Sequence, residues 1–176
     1  DFPLPRLAPR LRAWRDEVTG GRGFQVVSGL PVQSWSVEEA SVCFWGLGQH
    51  LGRPGAQNRK GDLLGHVRDT GAARTDRYVR QYLTTQDIPF HCDAADMVGL
   101  LCLHDAKSGG LSRIASYGSV YNELLQRRPD LAPRLFEPFM LDTRDEAEAN
   151  GIRALPIAPC RHAAGVLRTF WHSEYF

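Results

Sequence analysis

Phe90-His91-Cys92-Asp93-Ala94-Ala95-Asp96 is the stretch that decides how this chain reads. In extended backbone, side chains two apart share a face. His91 and Asp93 then point to one side and Cys92 to the other. An imidazole and a carboxylate converging from one strand are two corners of the two-His-one-carboxylate triad that holds non-haem Fe(II) and leaves coordination positions open. Taken alone, the pair has an ordinary alternative: a histidine hydrogen-bonded to a nearby aspartate. The neighbours decide between them. Pro89 and Phe90 suit an element entering a strand, and an apolar run follows at once.

That run, Val98-Gly99-Leu100-Leu101-Cys102-Leu103, has the composition of a fully buried strand. Lys107-Ser108-Gly109-Gly110 reads as a turn. Leu111-Ser112-Arg113-Ile114-Ala115-Ser116 returns as a second strand, with a hydroxyl near its start. Upstream, Leu7, Leu11, Trp14 and Val18 recur at helical spacing, and Gly20-Gly21 stops the pattern. Residues 24–27 read as a short strand. Ser36-Val37-Glu38-Glu39 has the form of a capping box opening a helix to about Leu51. Residues 52–62 form a polar loop and 63–68 a strand candidate. The polar stretch 69–76 is a candidate lid. Ser116 or Ser119 caps a helix containing Val120, Leu124 and Leu125 that ends before Pro129. Residues 139–141 and 166–171 are further strand candidates, and 142–150 is acidic and irregular. Helices first and short strands later suit a β-barrel or sandwich with helices outside.

The 176 residues suffice for one domain with a real core, read here as 1–176. Apolar content of 43% and charged content of 23% are those of an ordinary globular protein. A net charge of +1 gives no steering towards nucleic acid or a membrane surface. The longest apolar run is far below the ~20 residues of a membrane span. The start, Asp1-Phe2-Pro3-Leu4-Pro5, lacks the regions of a signal peptide. Cys43, Cys92, Cys102 and Cys160 are scattered without a Cys-x-x-Cys pair. The simplest expectation is a reduced, cytoplasmic protein without a thiolate zinc site. Neither a Gly-rich phosphate loop nor a Gly-x-Ser-x-Gly elbow is present, which disfavours nucleotide-dependent and serine-hydrolase chemistry. Oligomeric state is not legible.

The stretch from Phe90 to Ser116, with its His91-Cys92-Asp93 motif and Gly109-Gly110 turn, resembles the iron-binding core of the taurine dioxygenase/clavaminate synthase-like family. The resemblance extends more loosely through Gly23-Phe24-Gln25-Val26-Val27-Ser28-Gly29-Leu30-Pro31, Leu51-Gly52-Arg53-Pro54 and Pro129-Asp130-Leu131. It implies a mainly β fold with flanking helices, a double-stranded β-helix (jelly roll), here incomplete at the C-terminus. It implies Fe(II) as cofactor, and 2-oxoglutarate, O₂ and a small organic or amino-acid-derived molecule as reaction partners. Succinate and CO₂ would be the co-products, and hydroxylation the default outcome.

The resemblance carries over residue by residue. His91 and Asp93 match the metal ligands, and the presence of the Asp93 carboxylate argues against the related halogenases. Ser112 matches a hydroxyl that helps bind the 2-oxoglutarate carboxylate; its ordinary alternative is a strand hydroxyl. Gln57, Arg68 and Thr84 fall where relatives place substrate contacts. Arg68 could clamp a carboxylate through two hydrogen bonds. His50, His66, His104 and His162 read as structural or surface residues, with His162 in a loop. The triad also needs a distal histidine, followed in the family by an arginine for the far carboxylate of 2-oxoglutarate. His172 is the last histidine, and its segment resembles a middle strand of the family. No distal ligand is therefore identified, and the expectation is a partial chain, with a natural short variant carrying a degenerate site as the alternative. Two rivals remain: a Zn²⁺ hydrolase, which the lone His-x-Asp pair fits poorly, and a non-catalytic jelly-roll binding module with a degenerate metal site.

Overall fold

The computed structural model describes residues 2–58, 60–71, 81–143, 151–173 and 175. Within these the chain gathers into two units, Asp1–Gly65 with Ala95–Ser112, and His66–Ala94 with Arg113–Phe176.

Two helices dominate the first unit. Helix α1, Ala8–Gly20, carries Pro9 in its first turn, where a missing N–H costs nothing. Its buried residue is Leu11. The pattern stops at the expected glycines: the Gly21 and Gly23 amides both donate to the Glu17 carbonyl at 3.1 Å. Arg22 reaches back to the Glu17 carboxylate at 2.6 Å, and that hydrogen bond holds the carboxyl below its ordinary range. Helix α2, Val37–Gly48, opens with the capping box in full. The Glu39 amide donates to Ser36 Oγ at 3.1 Å, and the Ser36 amide to Glu39 Oε2 at 2.8 Å. It ends a turn short of Leu51. The Phe2 ring lies on Gly46, where any Cβ would collide. His50 Nε2 donates to the Phe2 carbonyl at 2.8 Å, so His50 is structural, as expected. Gly99 lets the 95–112 segment approach α2 closely: a Cβ there would stand 3.2 Å from the Phe44 ring.

The strands expected at 24–27, 63–68, 98–103 and 111–116 do not form ladders among the described residues. Leu100 is 76% exposed and Leu111 87%. The physical reason is that an apolar run only marks a surface suited to pairing. A strand exists when a neighbour takes up its N–H and C=O groups, and no such neighbour stands beside these runs among the described residues. The Gly109-Gly110 turn is present, both residues having φ of 72°, a region open to glycine at no steric cost.

The second unit holds the sheets. Helix α3, Tyr117–Arg127, is capped by Ser116, whose Oγ accepts from the Ser119 amide at 3.3 Å. A 3₁₀ turn follows at Ala132–Phe136. Strand β1, Phe139–Asp142, pairs antiparallel with β2, Ala154–Ile157. The Thr143 hydroxyl, buried just beyond β1, stands 2.9 Å from the Ile152 carbonyl and 3.0 Å from that of Arg153. Strand β3, Cys160–Ala163, pairs with β4, Val166–Thr169. Ala164 and Gly165 join them with φ of 50° and 76°. Two positive angles make this a type I′ turn, whose twist matches that of the flanking strands. His162 thus lies in a strand rather than the expected loop. Its ring stacks on Phe136 at 5.3 Å, and Phe136 meets Tyr121 of α3 edge-on at 6.0 Å.

Antiparallel pairs and flanking helices are therefore present, and no closed barrel forms among the described residues. Of the expected lid, residues 72–76 lie outside the described residues, as do 144–150 of the acidic stretch.

Candidate metal centre

The segment 91–93 lies along the end of β4. The Cys92 amide donates to the Trp171 carbonyl at 2.7 Å, and the Phe170 amide to the Pro159 carbonyl at 2.8 Å. The β3–β4 ladder thus continues past Thr169, with 91–93 on its other side. Side chains sort by face as extended backbone requires. Behind, Cys92 Sγ stands 3.9 Å from Thr169 Oγ1, and Thr169 is the register partner of Cys160. Cys160 is buried. Burial, and then the neighbouring Cys92, push its thiol above the ordinary range.

In front, His91 Nε2 stands 3.8 Å from Asp93 Oδ1. His91 Nδ1 lies 2.8 Å from the Pro89 carbonyl. A carbonyl only accepts, so Nδ1 carries a proton, and in the neutral imidazole it is Nε2 that keeps its lone pair. A histidine that binds a metal through one nitrogen characteristically donates from the other in this way. With the neutral imidazole, Nε2 and the Asp93 carboxylate are two acceptors facing each other, an arrangement that a cation between them would satisfy. Ligand distances of about 2.0–2.2 Å put two adjacent donors roughly 3 Å apart, so the pair need close by less than ~1 Å. The donor set, imidazole nitrogen and carboxylate oxygen, fits two of the three protein positions of the Fe(II) triad.

A further residue stands beside the pair. The His172 ring is 5.1 Å from that of His91, tilted by 50°. Tyr175 meets His172 edge-on at 4.4 Å. The Tyr175 amide donates to the His172 carbonyl at 3.0 Å, and the Asp142 amide of β1 to the Tyr175 carbonyl at 2.8 Å. His172 is thereby tied to the sheet. The sequence marked it only as the last histidine; its even spacing from Arg168 and Phe170, past the end of β4, is the signal that would have placed it on the His91 face. Among the described residues, no group of three or more His, Cys, Asp or Glu stands ready to hold a metal.

The other candidates are distributed between the units. Thr84 and Arg68 belong to the unit that contains His91; Gln57 and Ser112 belong to the other. The Thr84 hydroxyl closes its own turn on the Gln81 carbonyl at 2.9 Å. Gln57 Nε2 donates to the Gly55 carbonyl at 2.9 Å. Arg68 and Ser112 are exposed, as are His66 and His104.

The taurine catabolism dioxygenase TauD, TfdA family model matches residues 1–172. This chain belongs to that family. That family is described as one of dioxygenases. FR-33289 synthase of Streptomyces rubellomurinus is 35% identical over 145 residues, covering 82% of this chain and 43% of the relative. The taurine hydroxylase-like protein SAT17 of Stachybotrys chartarum is 31% identical over 161 residues, covering 88% and 42%. The chain thus spans about two-fifths of the length of these curated relatives. No helix among the described residues is long and apolar enough to cross a membrane.

Proposed function

We propose that the protein is an Fe(II)- and 2-oxoglutarate-dependent oxygenase acting on a small organic or amino-acid-derived metabolite, with hydroxylation as the default outcome. The single observation that supports this most is the His91–Asp93 pair. Two acceptors face each other at 3.8 Å, with the imidazole tautomer set by Pro89, in a chain of the TauD, TfdA family. His91 Nε2 and the Asp93 carboxylate would hold the iron. Bound Fe(II) with 2-oxoglutarate supplies oxidation of the substrate by O₂, with succinate and CO₂ as co-products.

The chain's own residues have simpler tasks. Pro89 orients the His91 ring through its carbonyl. Asp93 would neutralise part of the dication's charge. Ser112 would donate its hydroxyl to a 2-oxoglutarate carboxylate. Arg68, Gln57 and Thr84 would contact substrate, Arg68 through its exposed guanidinium. The four cysteines, free of disulfides, suit the reduced cytoplasmic setting that this reading assigns.

The test is an anaerobic Fe(II) titration of the protein and its Asp93→Ala variant. Removing the anionic ligand is expected to weaken binding by about a hundredfold or more, beyond the 10–100-fold that outer partners of a ligand control. Equal affinity in the two proteins removes the proposal.

A further inference from the structure

The His91 ring is placed by its Nδ1, which lies 2.8 Å from the Pro89 carbonyl. One hydrogen bond fixes a point on a ring and leaves the plane free to rock about that point. Close packing does not remove this freedom, because 29% of the His91 side chain is open to solvent. A metal ligand needs its lone pair aimed as well as placed. A contact against the plane of the ring supplies that second restraint.

Two further rings stand in line with it. The His172 ring lies 5.1 Å from that of His91, tilted by 50°. Tyr175 meets His172 at 4.4 Å with the planes at 89°. Both are contact separations for aromatic rings, and edge-on is a preferred arrangement. The line is anchored at each end by backbone. The Tyr175 amide closes a turn on the His172 carbonyl at 3.0 Å, and the Asp142 amide of β1 donates to the Tyr175 carbonyl at 2.8 Å. At the other end the Cys92 amide donates to the Trp171 carbonyl at 2.7 Å. His91 and His172 are each one residue from that hydrogen bond, so it sets the spacing of their rings.

We infer that His172 and Tyr175 are positioning residues for His91. They form an aromatic brace that fixes the plane of its ring and so aims Nε2 at the space shared with Asp93. The Pro89 hydrogen bond and the brace restrain different motions, the first the position of Nδ1 and the second the tilt of the ring. The brace acts as ring against ring. A phenyl ring in place of the His172 imidazole therefore serves, whereas a methyl group does not. Tyr175 acts through His172, so losing both rings is no worse than losing His172 alone. The hydrogen bond from Asp142 makes β1 the support on which the metal ligand leans. The bearing of the brace on iron rests on the proposed function; the brace itself rests on the ring contacts.

The experiment has two arms, run on the parent and on His172→Ala, His172→Phe, Tyr175→Ala and Tyr175→Phe. The first reads the two ring nitrogens of His91 by NMR in metal-free protein in mildly alkaline solution. The parent should show the tautomer protonated at Nδ1. His172→Ala should shift it towards a mixture of both tautomers, and His172→Phe should leave it in place. The second arm is an anaerobic Fe(II) titration. Affinity should fall about three- to tenfold in His172→Ala, the scale of one aromatic contact, and stay within about twofold of the parent in both Phe variants. Tyr175→Ala should lose about threefold, and the double Ala variant no more than His172→Ala alone. His172→Phe as damaging as His172→Ala would show that a ring nitrogen matters and not the ring, and it overturns the inference. So does a lowered melting temperature in His172→Ala with both readouts unmoved, which makes the rings packing residues. A tautomer shift in a protein that binds no Fe(II) leaves the brace standing and removes the functional proposal. Fe(II) binding equal in the parent and His172→Ala, with the tautomer unmoved, does the reverse.

Discussion

The two faces of the β3–β4 ladder and the adjoining 91–93 segment are built in opposite ways. On the reverse, Cys92, Thr169 and Cys160 form a row of small side chains, and the Cys160 end is buried. On the front, His91 and Asp93 oppose two acceptors, and Arg161 opposes Arg168. The same backbone supports both, because successive residues of a strand point to opposite sides. The reverse face holds the three stretches together, and this lets the front carry groups that do not satisfy one another. Local disagreement of that kind, on a frame that is otherwise consistent, is where a ligand is to be sought.

The contrast is broken most severely from behind. Cys160→Asp places a carboxylate in a site whose burial already disfavours an ionised thiol. A buried, unpaired charge costs about 3–5 kcal/mol, so urea unfolding should shift by that amount. Fe(II) affinity should fall with it, although no ligand is touched. If stability is unchanged, the reverse face does not hold the front. A front-face change should act the other way round. His172→Ala removes an aromatic contact worth about 0.5–1.5 kcal/mol. Fe(II) affinity is expected to drop about three- to tenfold, with a loss of stability no larger than that contact; the same loss of stability with unchanged Fe(II) affinity would make His172 a packing residue only. The smallest change sharpens the comparison by reinforcing the turn that sets the register. Ala164 has φ of 50°, a region that favours Asn and Gly. Ala164→Asn should stabilise the protein by up to about 1 kcal/mol in the same urea assay, leaving both faces as they are.

The parts legible in the sequence are those specified by neighbours a few residues away. The Ser36–Glu39 box and the Ser116 cap each satisfy helix N–H groups within a single turn, so residue type and spacing suffice to find them. His91 and Asp93 are legible for the same reason, being two residues apart on one segment. Strands are different. Cys160–Ala163 reads as a polar loop and Ala154–Ile157 contains Pro156, yet both pair because a partner is present. The apolar run at 98–103 looks more like a strand than either, and has no ladder among the described residues. The place of His172, named in the sequence only as the last histidine, was hidden for a related reason. Its place beside His91 depends on the Cys92–Trp171 hydrogen bond, which joins points 79 positions apart in the chain and leaves no mark in local pattern.

The order in which the chain visits its two units has a practical consequence. It passes from the first to the second after Gly65, returns at Ala95, and leaves again after Ser112. Each unit is therefore assembled from two separate pieces of polypeptide, and no single scission yields either one whole. A truncation that begins at His66 would retain the His91–Asp93 segment and all four strands while discarding both α1 and α2. Isolating the unit that contains the His91–Asp93 pair calls for two cuts and a splice, with residue 94 rejoined to residue 113 in place of the excised loop of sequence.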